Sequence, residues 1–509
     1  MKTKLAKSHN FEYLASILAL VLGISLVVIK DLSYNYALRN PLPQGGDEFG
    51  YMELADDFRQ AAVFHGHQDR HFLPELLSFL KERGYSEETY SHLLTPLSYR
   101  LREGKVVNQF PPGTSFVLSI FHRGAEKPAF AAICLSLFFS LVYLALRYRQ
   151  VSIPSSLGIA LFCAALIQLF PVSGLEFTRV NSVAPTYGLM IASGILYAAN
   201  PLISIALLSF STLFRIANVV SLSFAAVFYL FFLNKNSPFV RKSFQVLAVS
   251  LVAGVGWYLM YLFFLTGSPL VATYGPADVG LASVLKPWRL VRYYIGLKKG
   301  WFVAHLIGIG VLSSFAAFYK PVRKMALFGI LLTLLNYLFF FSHKVRISYY
   351  PYASAILVFG LIIDALVQQK KSKVLLALTL VGFIWGFSGV LALPSVVVPN
   401  SENLKKAERP FLEAFSDSGV VWAGIESGKI QYAASVPTFR FHWGGPKVRQ
   451  EIIQWLYDHN VQQVFFVGDR RVSTAEVKQA LDLLKLPYEE RKLKVGRLIL
   501  VKPENAAKV

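Results

Sequence analysis

The chain has 509 residues, 54% of them hydrophobic and only 16% charged, with a formal net charge of +21. A soluble domain carries about 25% charged residues, and the shortage here is concentrated in one region. Of 30 Asp and Glu residues only four, Glu126, Glu176, Asp278 and Asp364, lie between Gly113 and Pro399, which excludes a water-facing surface for that stretch.

The excess of Lys and Arg sits mostly in short loops between apolar runs. It is not gathered on one basic face, so no nucleic-acid partner is expected. The two cysteines, Cys134 and Cys163, both lie inside apolar segments, which excludes a disulfide framework. The N-terminus is basic (Lys2, Lys4, Lys7) and leads into apolar 14–29 with no small-residue cleavage site after it, the pattern of an uncleaved first span.

Apolar runs then fall at about 11–30, 128–147, 153–173, 183–199, 202–213, 216–232, 244–265, 301–319, 325–341, 350–367 and 374–393. A crossing helix needs about 20 such residues, so 202–213 is short, and counting it gives a polytopic helical membrane protein of about eleven spans. With the N-terminus inside, the cytoplasmic loops are RYRQ (147–150), NKNSPFVRK (234–242), YKPVRK (319–324) and QQKKSK (368–373). All four are basic and free of acids, which supports the register of the count.

Two hydrophilic blocks remain, and both fall outside. Loop 31–112 carries eight basic and twelve acidic residues, and Phe72, Leu76, Leu77, Phe79 and Leu80 predict an amphipathic helix on the membrane surface. Residues 400–509 read as a small α/β domain. Its strands are VVWAGI (420–425), VQQVFFVGD (461–469) and GRLILVKP (496–503). Helices over 448–460 and 474–486 separate them, and the alternation predicts a mainly parallel sheet. The domain boundary falls at 399/400, between a membrane domain that includes the first loop and the extracytoplasmic C-terminal domain.

Four short segments could carry chemistry. GGDEFGYMELADD (45–57) follows the first span and places Asp47, Glu48, Glu53, Asp56 and Asp57 close together. A helix from 48 onward would set Asp47 at its N-terminus, where the dipole favours a carboxylate, and Tyr51 four residues on along the same face. The same acids would also serve as a solvated helix face with an Asp N-cap. NQFPPGTSF (108–116) closes the loop, its prolines fixing an extended lead into a helix. TGSPLVATYG (266–275) and HKVRISYYP (343–351) are outside segments beside spans, the latter with His343, Lys344 and Arg346.

In order and sidedness these segments resemble the GT-C glycosyltransferases, in particular the bacterial relatives of protein O-mannosyltransferases and the lipid A aminoarabinose transferase family. The likeness spans roughly 11–393, with extra helix-like sequence at 72–101 and the segment SGLEFTRVNS (173–182) as departures. The resemblance implies inverting transfer of a sugar from a polyprenyl-phosphate donor to a lipid, glycan or protein acceptor on the outer face. It implies a bacterial inner (plasma) membrane setting. It also implies that the acid early in the first loop, Asp47, is the base, with Glu48 as its neighbouring alternative.

The chemistry agrees with one dominant carboxylate. A phosphate leaving group is stable as an anion, so the reaction needs a base for the acceptor's proton and cations for the lipid phosphate, but no general acid. The candidate cations are Lys105, Arg179, Arg215, Lys344 and Arg346, with Arg favoured for its two-pronged grip on phosphate. No cofactor is required on this reading. A divalent cation has weak candidate ligands in His65, His67 and His71, or in Asp56 and Asp57. The rival reading is a secondary transporter or lipid flippase, which would place its ionisable residues in the spans and show inverted repeats. Here the acids gather in an outside loop, and no repeat is visible.

Overall fold

The structure, a computed structural model, describes residues 2–34, 40–43, 46–60, 71–102, 104–108, 110–169, 180–215, 218–233, 238–256, 323, 327–328, 330–331, 350–369, 372–390, 401–416, 418–467 and 471–503. It begins with α1 (Lys2–Tyr34). The first loop holds α2 (Gly46–Arg59), α3 (Leu73–Glu82), α4 (Glu87–Tyr90), β1 (Tyr99–Arg102), β2 (Lys105–Asn108) and α5 (Pro112–Ser119). The apolar region contributes α6 (Glu126–Tyr148), α7 (Ile153–Leu169), α8 (Ala184–Leu196), α9 (Pro201–Ser211), α10 (Val219–Phe228), α11 (Phe239–Ser250), α12 (Tyr350–Gln368) and α13 (Ser372–Val390). The C-terminal segment contains α14 (Ser401–Phe415), β3 (Val420–Ala423), α15 (Ser427–Ala434), β4 (Thr438–Arg440), α16 (Pro446–Asp458), β5 (Gln463–Val467), α17 (Thr474–Leu483), β6 (Glu489–Leu493) and β7 (Gly496–Val501).

The described residues form two compact units. One comprises those of Met1–Tyr36, Phe130–Met260 and Tyr274–Val396, and the other those of Ala37–Ala129, Tyr261–Thr273 and Val397–Val509. The second unit therefore joins the first loop to the C-terminal segment, across the 399/400 boundary read from the sequence.

In the first unit the predicted apolar runs become helices wherever they are described, whereas 301–319 and most of 325–341 lie outside the described residues. The helices Phe11–Lys30 and Glu126–Tyr148 are long and apolar enough to cross a membrane. Phe11, Leu14, Ile17, Leu18 and Val21 of α1 stay exposed, as do Leu376, Leu380 and Ile384 of α13. Such a surface suits hydrocarbon better than water. The short run at 202–213 is the eleven-residue α9, started by Pro201 at its first position and by Asn200, whose side chain accepts from the Ile203 amide at 3.2 Å.

Between α7 and α13 the helices meet backbone to backbone. A Cβ on Gly382 would lie 2.8 Å from the Phe162 nitrogen and against the Gly158 carbonyl, so only glycine permits the approach. Asp364, one of the four acids of the apolar region, is buried in an ion pair with Arg149 at 2.7 Å. Lys30 lies 4.0 Å from the ring centroid of Trp385 and so ties α1 to α13.

The second unit contains a five-stranded sheet of order β4-β3-β5-β7-β6. Strands β4, β3 and β5 are parallel, while β7 runs antiparallel to both β5 and β6, so the sheet is mixed and not mainly parallel as the sequence predicts. The cause is local: only Lys494 and Val495 separate β6 from β7, and so short a connection allows only an antiparallel hairpin.

Every residue of β3 and β5 is buried, because the sheet is covered on both faces. Val421 and Ala423 pack with Phe415, Ile430 and Leu498. Trp422 points the other way, stacks on Phe465 at 5.7 Å and donates its indole N–H to Gln463 at 2.9 Å.

Helix α3 is amphipathic as predicted, but its surroundings differ from the predicted membrane surface. Leu73, Leu76 and Leu80 are buried in protein. Flanking aromatics meet the C-terminal segment, with Phe72 6.3 Å from Phe439 and Phe79 6.3 Å from Trp455. Just beyond the helix, Tyr85 donates to Glu451 at 3.0 Å. The apolar face is therefore covered by protein, with Phe72 and Phe79 meeting β4 and α16.

Candidate active site

Two of the four segments singled out in the sequence are brought together in the second unit. Helix α2, carrying the DEFGY residues, packs on α5, which starts at the Pro-Pro-Gly turn. Pro111 is extended (φ −60°, ψ 146°) and Pro112 opens the helix, as the fixed proline φ favours.

Asn108 makes the connection. Its Nδ2 donates to the Gly50 carbonyl at 2.6 Å, and its Oδ1 accepts from the Phe110 amide at 2.9 Å. Tyr51 stacks on Phe110 with ring centroids 4.5 Å apart. Gly50 has no room for a side chain, since a Cβ there would lie 2.7 Å from both Phe110 and Ser98. Before the turn, β1 and β2 form a hairpin that the sequence reading did not foresee. Its turn needs Gly104 at φ +76°.

Asp47 falls in the first turn of α2, and its side chain lies outside the described part of the structure. Glu48 is buried at 4% exposure and pairs with Lys127 of α6 at 3.1 Å. Lys127 also donates to the Leu42 carbonyl at 2.6 Å, so one ammonium holds the segment ahead of α2 and the second residue of its acidic pair. Phe49 is buried against α15, where a Cβ on Gly428 would stand 3.0 Å from the Phe49 Cβ and closer still to the ring.

At the far end of α2 lies a second charged cluster. Arg59 pairs with Asp56 and with Glu126, and it donates to the carbonyls of Leu118 and Phe121 at 3.0 and 2.9 Å, capping the end of α5. Arg123 reaches Asp56 at 3.3 Å and Glu408 at 3.1 Å, donates to the Tyr432 carbonyl at 2.7 Å and lies 4.2 Å from that ring's centroid.

Burial raises the Asp56 carboxyl above the ordinary carboxylate range, against the pull of Arg123 and Arg59. It raises Glu408 too, against Arg123. Burial also works against the charge on Arg123, but Tyr432, Asp56 and Glu408 more than offset it and hold that guanidinium above its usual range. The two directions oppose each other across one ion pair. Arg123, with partners on several sides, stays charged, and for the acids burial outweighs pairing.

The remaining candidates are scattered or undescribed. Arg215, half-buried in the first unit, donates to Ser182 Oγ at 3.1 Å. Lys105 lies in β2 with its side chain outside the described part, and Arg179, Lys344 and Arg346 lie outside the described residues altogether. So do the 266–275 segment, His65 and His67. His71 is exposed just before α3, Asp57 is buried in α2, and Asp56 faces two guanidiniums. Among the described residues no group of three His, Cys, Asp or Glu side chains is arranged to hold a metal.

Lys127, Arg59, Arg123 and Glu408 were not among the sequence candidates. A signal did exist for the first: Glu126-Lys127 is an adjacent acid and base opening an apolar run, where charge is costly without a partner.

No family model matches the sequence, and no curated protein matches it. The fold does have counterparts. The structure of ArnT from Cupriavidus metallidurans in the apo state superposes with a TM-score of 0.50 at 11% identity, over 97% of this chain and 98% of that one. The structure of the same protein bound to undecaprenyl phosphate gives 0.48 at 11% identity, over 98% and 99%. The apo-state likeness covers almost the whole of both chains, so this chain shares the fold of that protein.

Proposed function

We propose that the chain is an integral membrane glycosyltransferase that moves a sugar, with inversion, from a polyprenyl-phosphate donor to an acceptor on the extracytoplasmic side. The observation that carries this reading is the packing of α2 on the Pro-Pro-Gly turn. It joins, in one compact unit, the two first-loop segments whose resemblance points to such enzymes. A fold shared with ArnT supports it.

The acceptor hydroxyl oxygen attacks the anomeric carbon while the bond from that carbon to the phosphate oxygen breaks. The hydroxyl proton passes to Asp47, and polyprenyl phosphate leaves as an anion. Glu48 is paired with Lys127, which favours Asp47 over its neighbour as the acceptor of the proton. The leaving phosphate is received by basic side chains, drawn from Lys105, Arg179, Arg215, Lys344 and Arg346. Its own stability makes a general acid unnecessary. No cofactor enters the scheme, and activity should survive dialysis against a chelator.

The test is transfer from a panel of radiolabelled polyprenyl-phosphate sugars by the purified protein. Asp47→Asn keeps the size of the side chain and removes the proton acceptor, so kcat should fall about 10²–10⁴-fold while donor binding persists. Transfer within a few-fold of the parent by both Asp47→Asn and Glu48→Gln would overturn the mechanism.

A further inference from the structure

A second polar site lies in the C-terminal sheet, among residues that the transfer scheme leaves unused. Strands β4, β3 and β5 are parallel and end at the same edge of the sheet. In parallel sheets that edge is where loops leave room for ligands. Arg440 is the last residue of β4 and is 2% exposed. Its Nε donates to the Thr95 carbonyl at 2.9 Å, and its Nη2 donates to the Tyr99 carbonyl at 3.1 Å and to His92 Nδ1 at 2.9 Å. These partners are neutral.

Among the described residues no carboxylate pairs with Arg440, and the charged neighbour acting on it is a second buried arginine, Arg100. An ionised group taken out of water without an opposite charge is expensive to keep. Burial and Arg100 together pull the guanidinium down to about 9, which expresses the same lack of a counter-charge.

One aromatic side chain borders this cation, and two further side chains lead outward from it. Trp443 lies over it, with the guanidinium carbon 5.1 Å from the ring centroid, and meets the His92 ring in a tilted contact at 4.5 Å. The indole Nε1 is a buried donor with no acceptor among the described residues. His442 lies beside Trp443 at 5.8 Å, and Arg471, exposed beyond β5, donates to His442 Nε2 at 3.3 Å. That bond leaves the His442 proton on Nδ1. His442, after β4, and Arg471, after β5, are thereby joined at this edge.

We propose that this edge binds a phosphate-class anion, received by Arg440, Arg471 and the indole N–H of Trp443. The anion supplies the missing counter-charge and the missing acceptor together. Guanidinium forks match tetrahedral oxyanions in geometry as well as charge. The source is a free phosphate or the phosphate of a lipid headgroup, and both present the same oxygens. The inference does not depend on the glycosyl-transfer scheme.

The test uses the full chain in detergent. Its unfolding midpoint is followed against inorganic phosphate, with chloride at matched ionic strength as the reference. In a second arm, micelles carrying dioctanoyl phosphatidic acid are compared with micelles carrying the phosphatidylcholine analogue. A saturable rise with inorganic phosphate assigns free phosphate, and a rise with phosphatidic acid alone assigns a headgroup.

Arg471→Gln removes an exposed charge, and Trp443→Phe removes the indole N–H while keeping an aromatic ring at a half-buried position, so both variants should fold. Each should weaken the response about tenfold, the loss expected for one charge-assisted hydrogen bond. No response beyond chloride in either arm, or a response unchanged in both variants, overturns the proposal.

Discussion

Glu48 and Lys127 form an ion pair at 3.1 Å, with side-chain exposures of 4% and 2%. A buried pair adds little net stability compared with an apolar one, but breaking it strands a charge, at a cost of about 3–5 kcal/mol. Lys127→Met should therefore lower stability by about that amount and also release the Leu42 carbonyl. Adding Glu48→Gln to Lys127→Met should recover most of the loss, because the stranded carboxylate is gone. Thermal unfolding of the three variants in detergent measures the cycle. A double variant no more stable than Lys127→Met would mean that the pair does not hold this corner.

Gly428 of α15 faces Phe49, the residue after Glu48, at a distance that leaves no space for a larger side chain. Gly428→Val should force the ring aside and cost about 1–3 kcal/mol. It should also lower transfer activity, since α2 carries the proposed base, Asp47, and α15 packs against that helix. Circular dichroism melts combined with kcat and KM separate the two effects. Normal stability with normal kcat would show that α2 does not lean on this glycine.

What the sequence made legible was governed by local rules. Apolar runs bounded by Lys- and Arg-rich loops gave the helices, and the Pro-Pro-Gly turn gave the start of α5. Buried strands such as Val420–Ala423 stood out because they are apolar throughout. Strand β6 escaped notice because Glu489–Leu493 is a charged edge, exposed along its length, and β4 because three residues make no pattern. The packing of α3 on the C-terminal segment depends on partners such as Phe439 and Trp455, far along the chain. An amphipathic helix looks the same whether lipid or protein covers its apolar face. The Arg59–Asp56–Arg123–Glu408 cluster was hidden for the same reason.

Asp56 gives a prediction with a sign. Its carboxyl is raised by burial, so the folded state keeps a proton at pH values where the unfolded chain has lost it. Stability from this group is therefore greatest below the ordinary carboxylate range, near pH 4. It declines as pH rises through the folded value. Asp56→Asn resembles the protonated residue at every pH. The variant should match the parent in acid and be the more stable of the two at neutral pH. Apparent unfolding temperatures at several pH values decide it. A variant less stable than the parent at neutral pH would mean that Arg59 and Arg123 outweigh burial.

Asn108 gives the sharpest test of the connection between the two motif segments. Its side chain is buried and does two jobs at once: the amide nitrogen donates to Gly50 and the oxygen accepts from Phe110. Asn108→Asp preserves the shape and the bond from Phe110, but sets an oxygen against the Gly50 carbonyl where a donor stood. Asn108→Ala removes both bonds and leaves a small cavity. If the bond to Gly50 is what holds α2 on the Pro-Pro-Gly turn, the aspartate should cost at least as much as the alanine. The scale is the about 1–3 kcal/mol expected when a buried polar group loses its partner. In kinetics, both variants should lower kcat more than they raise KM, because the proposed base, Asp47, would shift with α2 relative to the turn while the rest of the donor's contacts persist. Unfolding curves and steady-state transfer rates are the measurements. An aspartate variant with parental stability and parental kcat would show that shape alone, and not the hydrogen bond, keeps the two segments in register.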